Sequence, residues 1–183
     1  MNRMKSFAKD PSKDRRCALR GAALALLSFI TISPSLISPS TVRAATTESP
    51  FTALPGSWAG TGTIALSSGA KERIRCQATY RLENPVNLRL EMNCSSDSYR
   101  FELRSHIIYG DQTISGSWNE QTRGVGGNVT GRASGARIQA RAEGQTFTAL
   151  LDMTTRGNRQ SVSIQSPGSE MSGVTIVLTR GAR

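Results

Sequence analysis

Histidine, cysteine and aromatic residues are scarce in this sequence, and each shortage excludes a class of site. One histidine and three cysteines occur in 183 residues, and aromatic residues make up 5%. Nucleophilic catalysis by a Ser-His-Asp or Cys-His arrangement depends on a histidine. The single candidate, His106, falls among charged outward positions, and the carboxylates are scattered without a defined spacing. We therefore expect no enzyme activity, no catalytic residue, no metal site and no cofactor.

Long hydrophobic runs are also missing. Arginines in segment 15–20 precede an apolar run from Gly21 to Ile32, which is shorter than the roughly 20 residues that span a bilayer. Val42 and Ala44 form a small-x-small cleavage site, so residues 1–44 are predicted to be a removable export signal. An ordinary secretory signal is favoured over a twin-arginine signal, and an uncleaved anchor is a further alternative. We expect a periplasmic or secreted protein that is not integral to a membrane after cleavage.

Removal of this signal changes the charge of the protein. Residues 1–44 contain eight of the 23 basic and two of the 13 acidic residues, which leaves 15 basic and 11 acidic residues and a net charge of +4 instead of +10. The basic composition is therefore weak support for nucleic-acid binding, and we expect no nucleic-acid partner. All the remaining cations except Lys71 are arginine.

A β-hairpin is predicted around Pro85 because apolar and polar residues alternate strictly on both sides of it. Folding the chain about Pro85 places four pairs opposite one another: Leu82 and Leu88, Tyr80 and Leu90, Ala78 and Met92, Cys76 and Cys94. Directly opposed residues lie within the range that a disulfide can bridge. Two cysteines remain after signal cleavage, and an even count in an exported protein favours a Cys76–Cys94 disulfide.

Short alternating segments continue along the rest of the chain, separated by Gly, Asn, Asp and Pro. Residues 45–55 lack periodicity and are predicted to be a flexible lead-in, and residues 56–183 to form one domain. We predict an all-β fold, an antiparallel meander barrel or flattened barrel of about eight to ten strands with one disulfide. Polar outward positions exclude a lipid-facing barrel. Glycines within 124–131 indicate bends in a strand, since no helix follows to complete a phosphate loop.

The inward positions combine aromatic and small residues. The aromatic residues are Trp58, Tyr80, Tyr99, Phe101 and Trp118, and they alternate with glycines and alanines. Such a mixture predicts either a cavity for a small apolar or amphipathic ligand or an interdigitated, dry core. These five residues are our candidate ligand-binding set.

Three arginines form a second candidate site, for an anion. Arg81 opposes Arg89 across the predicted hairpin. One register of the following strand would add Arg104 to the row, and like charges aligned in this way would suggest an anionic partner. The other register pairs Arg104 with Glu91, removes the row, and is favoured by charge complementarity.

The segment Pro55-Gly56-Ser57-Trp58 resembles the Gly-x-Trp start of the first strand in the calycin superfamily, which includes lipocalins, avidins and small bacterial protease inhibitors. The resemblance implies that Trp58 packs across the closed end of a barrel. The chain also resembles small exported proteins of alphaproteobacteria. Ligand binding is the function we expect first, and the alternative is a protein-binding module, such as an inhibitor of an exported protease, that uses residues 45–55 as a projecting segment.

Overall fold

The computed structural model describes residues 48–181, so the predicted export signal lies outside the described residues. Ten β-strands make up most of this part of the chain: β1 (Gly56–Leu66), β2 (Lys71–Asn84), β3 (Asn87–Ser95), β4 (Arg100–Gly110), β5 (Thr113–Glu120), β6 (Val125–Ser134), β7 (Arg137–Glu143), β8 (Thr148–Arg156), β9 (Arg159–Gln165) and β10 (Met171–Arg180). Within residues 48–181 there is no helix that is long and apolar enough to cross a membrane.

Every strand pairs antiparallel with its neighbours in the sequence, and β1 also pairs with β10. The sheet is therefore a closed ten-stranded meander barrel, which confirms the predicted fold class. Because the ring is closed, all ten strands have partners on both sides and no edge is left unpaired.

The register of the β2–β3 hairpin matches the pairing predicted about Pro85. Leu82 lies opposite Leu88, and Cys76 lies opposite Cys94. The two cysteines form a disulfide with a Cα–Cα distance of 4.1 Å. At the turn, the Val86 N–H donates to Asn84 Oδ1 at 3.0 Å, which is the side-chain turn that asparagine favours. The alternation of apolar and polar residues about Pro85 therefore predicted both the strand register and the disulfide correctly.

Alternate residues of each strand point into the barrel and build its core. Those most completely buried include Trp58, Ile64, Ile74 and Leu178, each at most 1% exposed. The outward positions between them are mostly polar or charged and exposed. This division explains the strict period of two in the sequence.

Several inward glycines lie where neighbouring backbones approach closely. A Cβ atom at Gly127 would lie 1.8 Å from the Glu143 carbonyl oxygen, and one at Gly131 would lie 2.1 Å from that of Gln139. Only glycine fits at such a bend. The glycine-rich stretch 124–131 is therefore largely the bent strand β6, as predicted, and a loop and strand follow it.

The described part of the expected lead-in packs against the barrel, contrary to a flexible segment. Phe51 and Leu54 are each 1% exposed, and the Arg180 guanidinium donates to the Ala53 carbonyl oxygen. Apolar burial at two positions offsets the entropy lost on ordering the segment. The chain then enters β1 at Gly56, whose φ of +122° favours glycine.

Candidate functional site

One end of the barrel is filled by the segment that precedes β1. We call it the plugged end, and it carries Phe51, Leu54 and the strand ends around Gly56 and Arg180. The Trp58 indole N–H donates to the Leu54 carbonyl oxygen at 2.8 Å. The Phe51 ring packs edge-on against a second aromatic ring, that of Tyr109, with centroids 5.9 Å apart. These contacts close this end to solvent.

Trp58 and Tyr80 belong to the plugged end. Their rings meet edge to face with centroids 6.3 Å apart, and the Arg180 guanidinium lies 4.6 Å above the Trp58 ring. The Tyr80 hydroxyl donates to Gln160 Oε1 at 2.8 Å, and burial raises the pKa of Tyr80. Both side chains therefore have polar partners inside a packed region. Trp58 takes the position at the closed end that the calycin resemblance implied.

Tyr99, Phe101 and Trp118 lie at the opposite, open end. Phe101 and Trp118 are inward residues of β4 and β5, Tyr99 precedes β4 in the β3–β4 loop, and all three are only half-buried. Tyr99 stacks on Phe101 with ring centroids 6.2 Å apart, and Trp118 packs on Phe147 at 5.5 Å. We call Tyr99, Phe101, Trp118 and Phe147 the aromatic mouth. Apolar surface thus faces the interior at this end without being covered.

A buried carboxylate holds the β5–β6 loop beside the aromatic mouth. Glu120 is 6% exposed and accepts hydrogen bonds from the backbone N–H groups of Glu102, Thr122 and Arg123 at 2.9–3.0 Å. Burial by itself would raise the pKa of Glu120, but these bonds and that from the Thr122 hydroxyl outweigh it, and the pKa is lowered. The loop so held places the Arg123 guanidinium 4.8 Å from the centre of the Phe101 ring.

A second polar contact joins two loops across the open end. The Tyr99 hydroxyl donates to Glu170 Oε1 at 3.1 Å, which connects the β3–β4 loop with the β9–β10 loop. Partial burial, followed by the nearby Glu170 carboxylate, raises the pKa of Tyr99. Glu72 accepts from the backbone N–H of Ser98 at 2.6 Å beside them. Charged and polar groups therefore border the aromatic mouth.

The interior wall below the aromatic mouth is apolar and incompletely covered. Its half-buried inward residues include Leu90, Met92, Leu103, Ile107, Ala140, Leu151, Ile164 and Val174. An eight-stranded barrel is just wide enough for side chains to fill, and the interior widens as strands are added. The inward positions of β6, β7 and β8 include small residues such as Ala140, Ala142 and Ala149, which are half-buried.

The three candidate arginines do not form a row. Arg104 pairs with Glu91, so the register favoured by charge complementarity is the one observed, and Arg89 lies opposite His106. Arg81 and Arg89 oppose each other as expected, but each has a carboxylate within reach. Arg81 lies 3.8 Å from Glu91, and Arg89 pairs with Glu83. These acids offset the charge on which the anion hypothesis depended.

No catalytic arrangement emerges around His106. It lies on the outer face, 40% exposed, with Nε2 3.3 Å from Glu83 Oε2. Between residues 48 and 181, no three His, Cys, Asp or Glu side chains come together as a metal-binding group. Ser117 lies opposite His106 in the strand ladder, but within residues 48–181 no hydrogen bond joins the two side chains.

Sequence reasoning missed three members of the open end: Phe147, Arg123 and Glu120. Arg123 lies in a loop, where alternation carries no information about direction. Phe147 shares the inward alternation of Ala149, Leu151 and Met153 but was not included in the candidate ligand-binding set. A signal for Phe147 was present in Gly144, because a Cβ atom there would lie 3.0 Å from the Phe147 ring and 3.3 Å from Trp118. Glu120 falls at an inward position of the alternating segment, which is unusual for a carboxylate and could have marked it as a candidate for a special role.

Comparison with known proteins shows the fold and nothing finer. No protein-family model and no curated protein matches the sequence. The crystal structure of Rv2717c from M. tuberculosis superimposes with a TM-score of 0.58 at 13% identity, covering 72% of this chain and 94% of that one. The S-type phycobiliprotein lyase CPES from Guillardia theta superimposes with a TM-score of 0.55 at 8% identity, covering 73% and 91%. The barrel is shared at identities that carry no functional assignment.

Proposed function

We propose that this protein is a non-enzymatic barrel that binds a small apolar or amphipathic ligand through its open end. One observation carries the proposal: the aromatic side chains of the plugged end are buried, whereas those of the aromatic mouth point inward and remain half-exposed. Ligand sites are typically concave, mostly apolar, and equipped with a few polar groups. The aromatic mouth supplies the apolar surface, Arg123 and the Tyr99–Glu170 pair supply the polar groups, and a concave interior at this end is part of the proposal.

The polar border of the open end favours an amphipathic ligand over a purely apolar one. The rings of Phe101 and Trp118 offer flat apolar surface on the neighbouring strands β4 and β5. Arg123 and the Tyr99–Glu170 pair lie beside those rings and can bind a polar group that stays near solvent. The ligand's apolar part would then extend toward Leu103 and Leu151 on the interior wall.

The compartment we propose is periplasmic or extracellular. The disulfide between Cys76 and Cys94 supports this, because disulfides persist mainly in oxidising compartments. The sequence features of residues 1–44 point to the same location. The protease-inhibitor alternative needed a projecting segment, but Phe51 and Leu54 are buried, and no described contact favours that function.

A fluorescent apolar probe tests the proposal. Titrated with N-phenyl-1-naphthylamine, the purified protein should enhance probe emission in a saturable way. Trp118→Ala and Phe101→Ala should each weaken binding by about fivefold or more, the usual effect of truncating an aromatic anchor. Leu150→Ala is the matched control, because Leu150 is an outward leucine that is 44% exposed.

Native mass spectrometry of protein purified without detergent provides the second measurement. A discrete adduct that is released on denaturation would identify the natural ligand class. Absence of saturable probe binding, together with a bare protein mass, would overturn the proposal in favour of a packed barrel. Equal effects of Leu150→Ala and Trp118→Ala would overturn the location of the site.

A further inference from the structure

Four cations form a strip on the outside of the barrel, toward its open end. Lys71, Arg73 and Arg75 are successive outward residues of β2, and all are exposed. In the strand ladder Arg75 lies beside Ser95, which in turn lies beside Arg100 of β4. We call Lys71, Arg73, Arg75 and Arg100 the basic strip.

No carboxylate of the described residues forms an ion pair with the basic strip. Several other arginines of the barrel do have such partners, namely Arg81, Arg89, Arg123, Arg137 and Arg141. Successive cations of β2 are about 7 Å apart, since each strand residue rises about 3.3 Å. Like charges at this spacing repel one another, so the basic strip raises the free energy of the unliganded barrel.

Concave surface accompanies this charge. A groove of about 680 Å³ crosses the outer faces of β1 to β4, and Arg75 and Arg100 lie at it together with the polar residues Thr61, Gln77, Asn93 and Ser95. A second hollow of about 480 Å³ shares Thr61 and is lined by Thr63, Lys71 and Arg73. The four cations are thus interspersed with neutral hydrogen-bonding side chains along a depression made of these two hollows, which share Thr61.

Two carboxylates border this depression. Glu102 lies beside Arg100 at the groove, and Glu72 lies at the second hollow. The Glu72 carboxylate already accepts the Ser98 N–H. The surface therefore stays basic, with four cations against two acids.

We propose that the basic strip and its groove bind an anionic polysaccharide whose sugars carry carboxylate groups. A guanidinium matches a carboxylate with two parallel hydrogen bonds, and the Thr, Ser, Asn and Gln side chains suit sugar hydroxyls. The repeated spacing of the cations fits a chain with repeated charges. This site is separate from the proposed ligand site, because one lies outside the barrel and the other inside.

Two other polyanions fit the surface less well. Single-stranded nucleic acids bind on aromatic platforms, and the aromatic residue at the groove, Phe101, turns its ring inward against Tyr99. An extended acidic peptide usually gains main-chain hydrogen bonds at a sheet edge, and this closed barrel presents none.

Isothermal titration with an alginate oligosaccharide, a chain of uronic acids, tests the proposal on the purified protein. We expect saturable binding that weakens with added salt, and no binding of neutral dextran. The triple variant Arg73→Gln/Arg75→Gln/Arg100→Gln should reduce alginate affinity by at least about tenfold, equal to roughly 1.4 kcal/mol.

The matched control is Arg132→Gln/Arg156→Gln/Arg159→Gln, which removes three exposed arginines elsewhere on the barrel and the same net charge. It should retain alginate affinity within about twofold. An equal loss in both triple variants would overturn the site, because net charge alone would then explain binding. Absence of alginate binding, or tighter binding of poly-glutamate than of alginate, would overturn the polysaccharide assignment. Circular dichroism of both variants verifies that the barrel is folded.

Discussion

Tyr80 and Gln160 are joined across the barrel interior, although their strands are not neighbours. The Tyr80 hydroxyl donates to Gln160 Oε1 at 2.8 Å, and strands β2 and β9 are separated by β1 and β10. Gln160 is fully buried and its Nε2 donates to Thr155 Oγ1 at 3.1 Å. This chain of three side chains ties β2 to β9 and β8 across the plugged end.

Tyr80→Phe should destabilise the barrel by about 1–3 kcal/mol, because it leaves a buried acceptor on Gln160 with one partner fewer. Tyr109→Phe is the control, since Tyr109 is also buried and its hydroxyl makes no hydrogen bond with residues 48–181. Urea unfolding of both variants measures the difference. Equal midpoints for the two variants would contradict a stabilising role of the Tyr80–Gln160 bond.

Breaking the Cys76–Cys94 disulfide should lower the free energy of unfolding by about 3 kcal/mol, the loop-closure value for cysteines of this spacing. The two residues are 18 positions apart in the sequence. Cys76→Ala/Cys94→Ala and reduction with dithiothreitol should have the same effect in thermal unfolding. A thermal midpoint that is insensitive to reduction would contradict the prediction.

Glu120→Gln should destabilise the protein at neutral pH by about 1.5–3 kcal/mol, the range for hydrogen bonds to a charged group. The pKa of Glu120 is lowered from its usual 4.5 in the folded state. Its ionised form therefore contributes fully above about pH 4.5, and that contribution is lost as the pH falls through the lower folded-state pKa. The stability gap between wild type and variant should narrow in acid.

Chemical unfolding at pH 7 and at pH 3 checks this, with Glu102→Gln as control because the Glu102 side chain is exposed. If the difference in the free energy of unfolding between wild type and Glu120→Gln stays constant with pH, Glu120 contributes through its packing and not through its charge.

Gly131→Ala should destabilise by about 1–3 kcal/mol or more, the usual cost of forcing extra atoms into a packed site. The added Cβ would lie 2.1 Å from the Gln139 carbonyl oxygen, so the β6 and β7 backbones must separate. Gly110→Ala should be tolerated, because nothing lies within 4 Å of a Cβ there. Thermal midpoints compare the two, and similar values would contradict the close-approach argument.

The fold followed from local patterns to an unusual degree. Alternation about Pro85 predicted the pairing of Cys76 with Cys94, because a one-residue slip would have turned every side chain to the other face. The same argument, extended by charge complementarity, selected the pairing of Arg104 with Glu91. Strand parity also gave the inward set of aromatic residues.

The candidate site was less accessible to such reasoning. The alternation of inward and outward residues placed Trp58 and Trp118 in the same candidate set. Alternation tells which face of the sheet a side chain is on, but not where the residue lies along the barrel axis. Only the closed structure separated the buried Trp58 at the plugged end from the half-exposed Trp118 at the open end. Arg123 is in a loop and has no period that could have revealed it, whereas Phe147 follows the alternation of β8 but nothing in that pattern places it beside Trp118.

By itself, the sequence determined that residues after the predicted signal form an all-β barrel with one disulfide, because period-two burial and hairpin geometry are local properties. Tertiary structure decided that the barrel closes between β1 and β10, that Phe51 and Leu54 fill one end, and that Lys71, Arg73, Arg75 and Arg100 lie along one depression. Of the four cations, Arg75 and Arg100 line one groove, and Lys71 and Arg73 line the adjoining hollow. The β1–β10 closure joins segments far apart in the chain. The contacts that stabilise these features are long-range, and they form only once the barrel is closed.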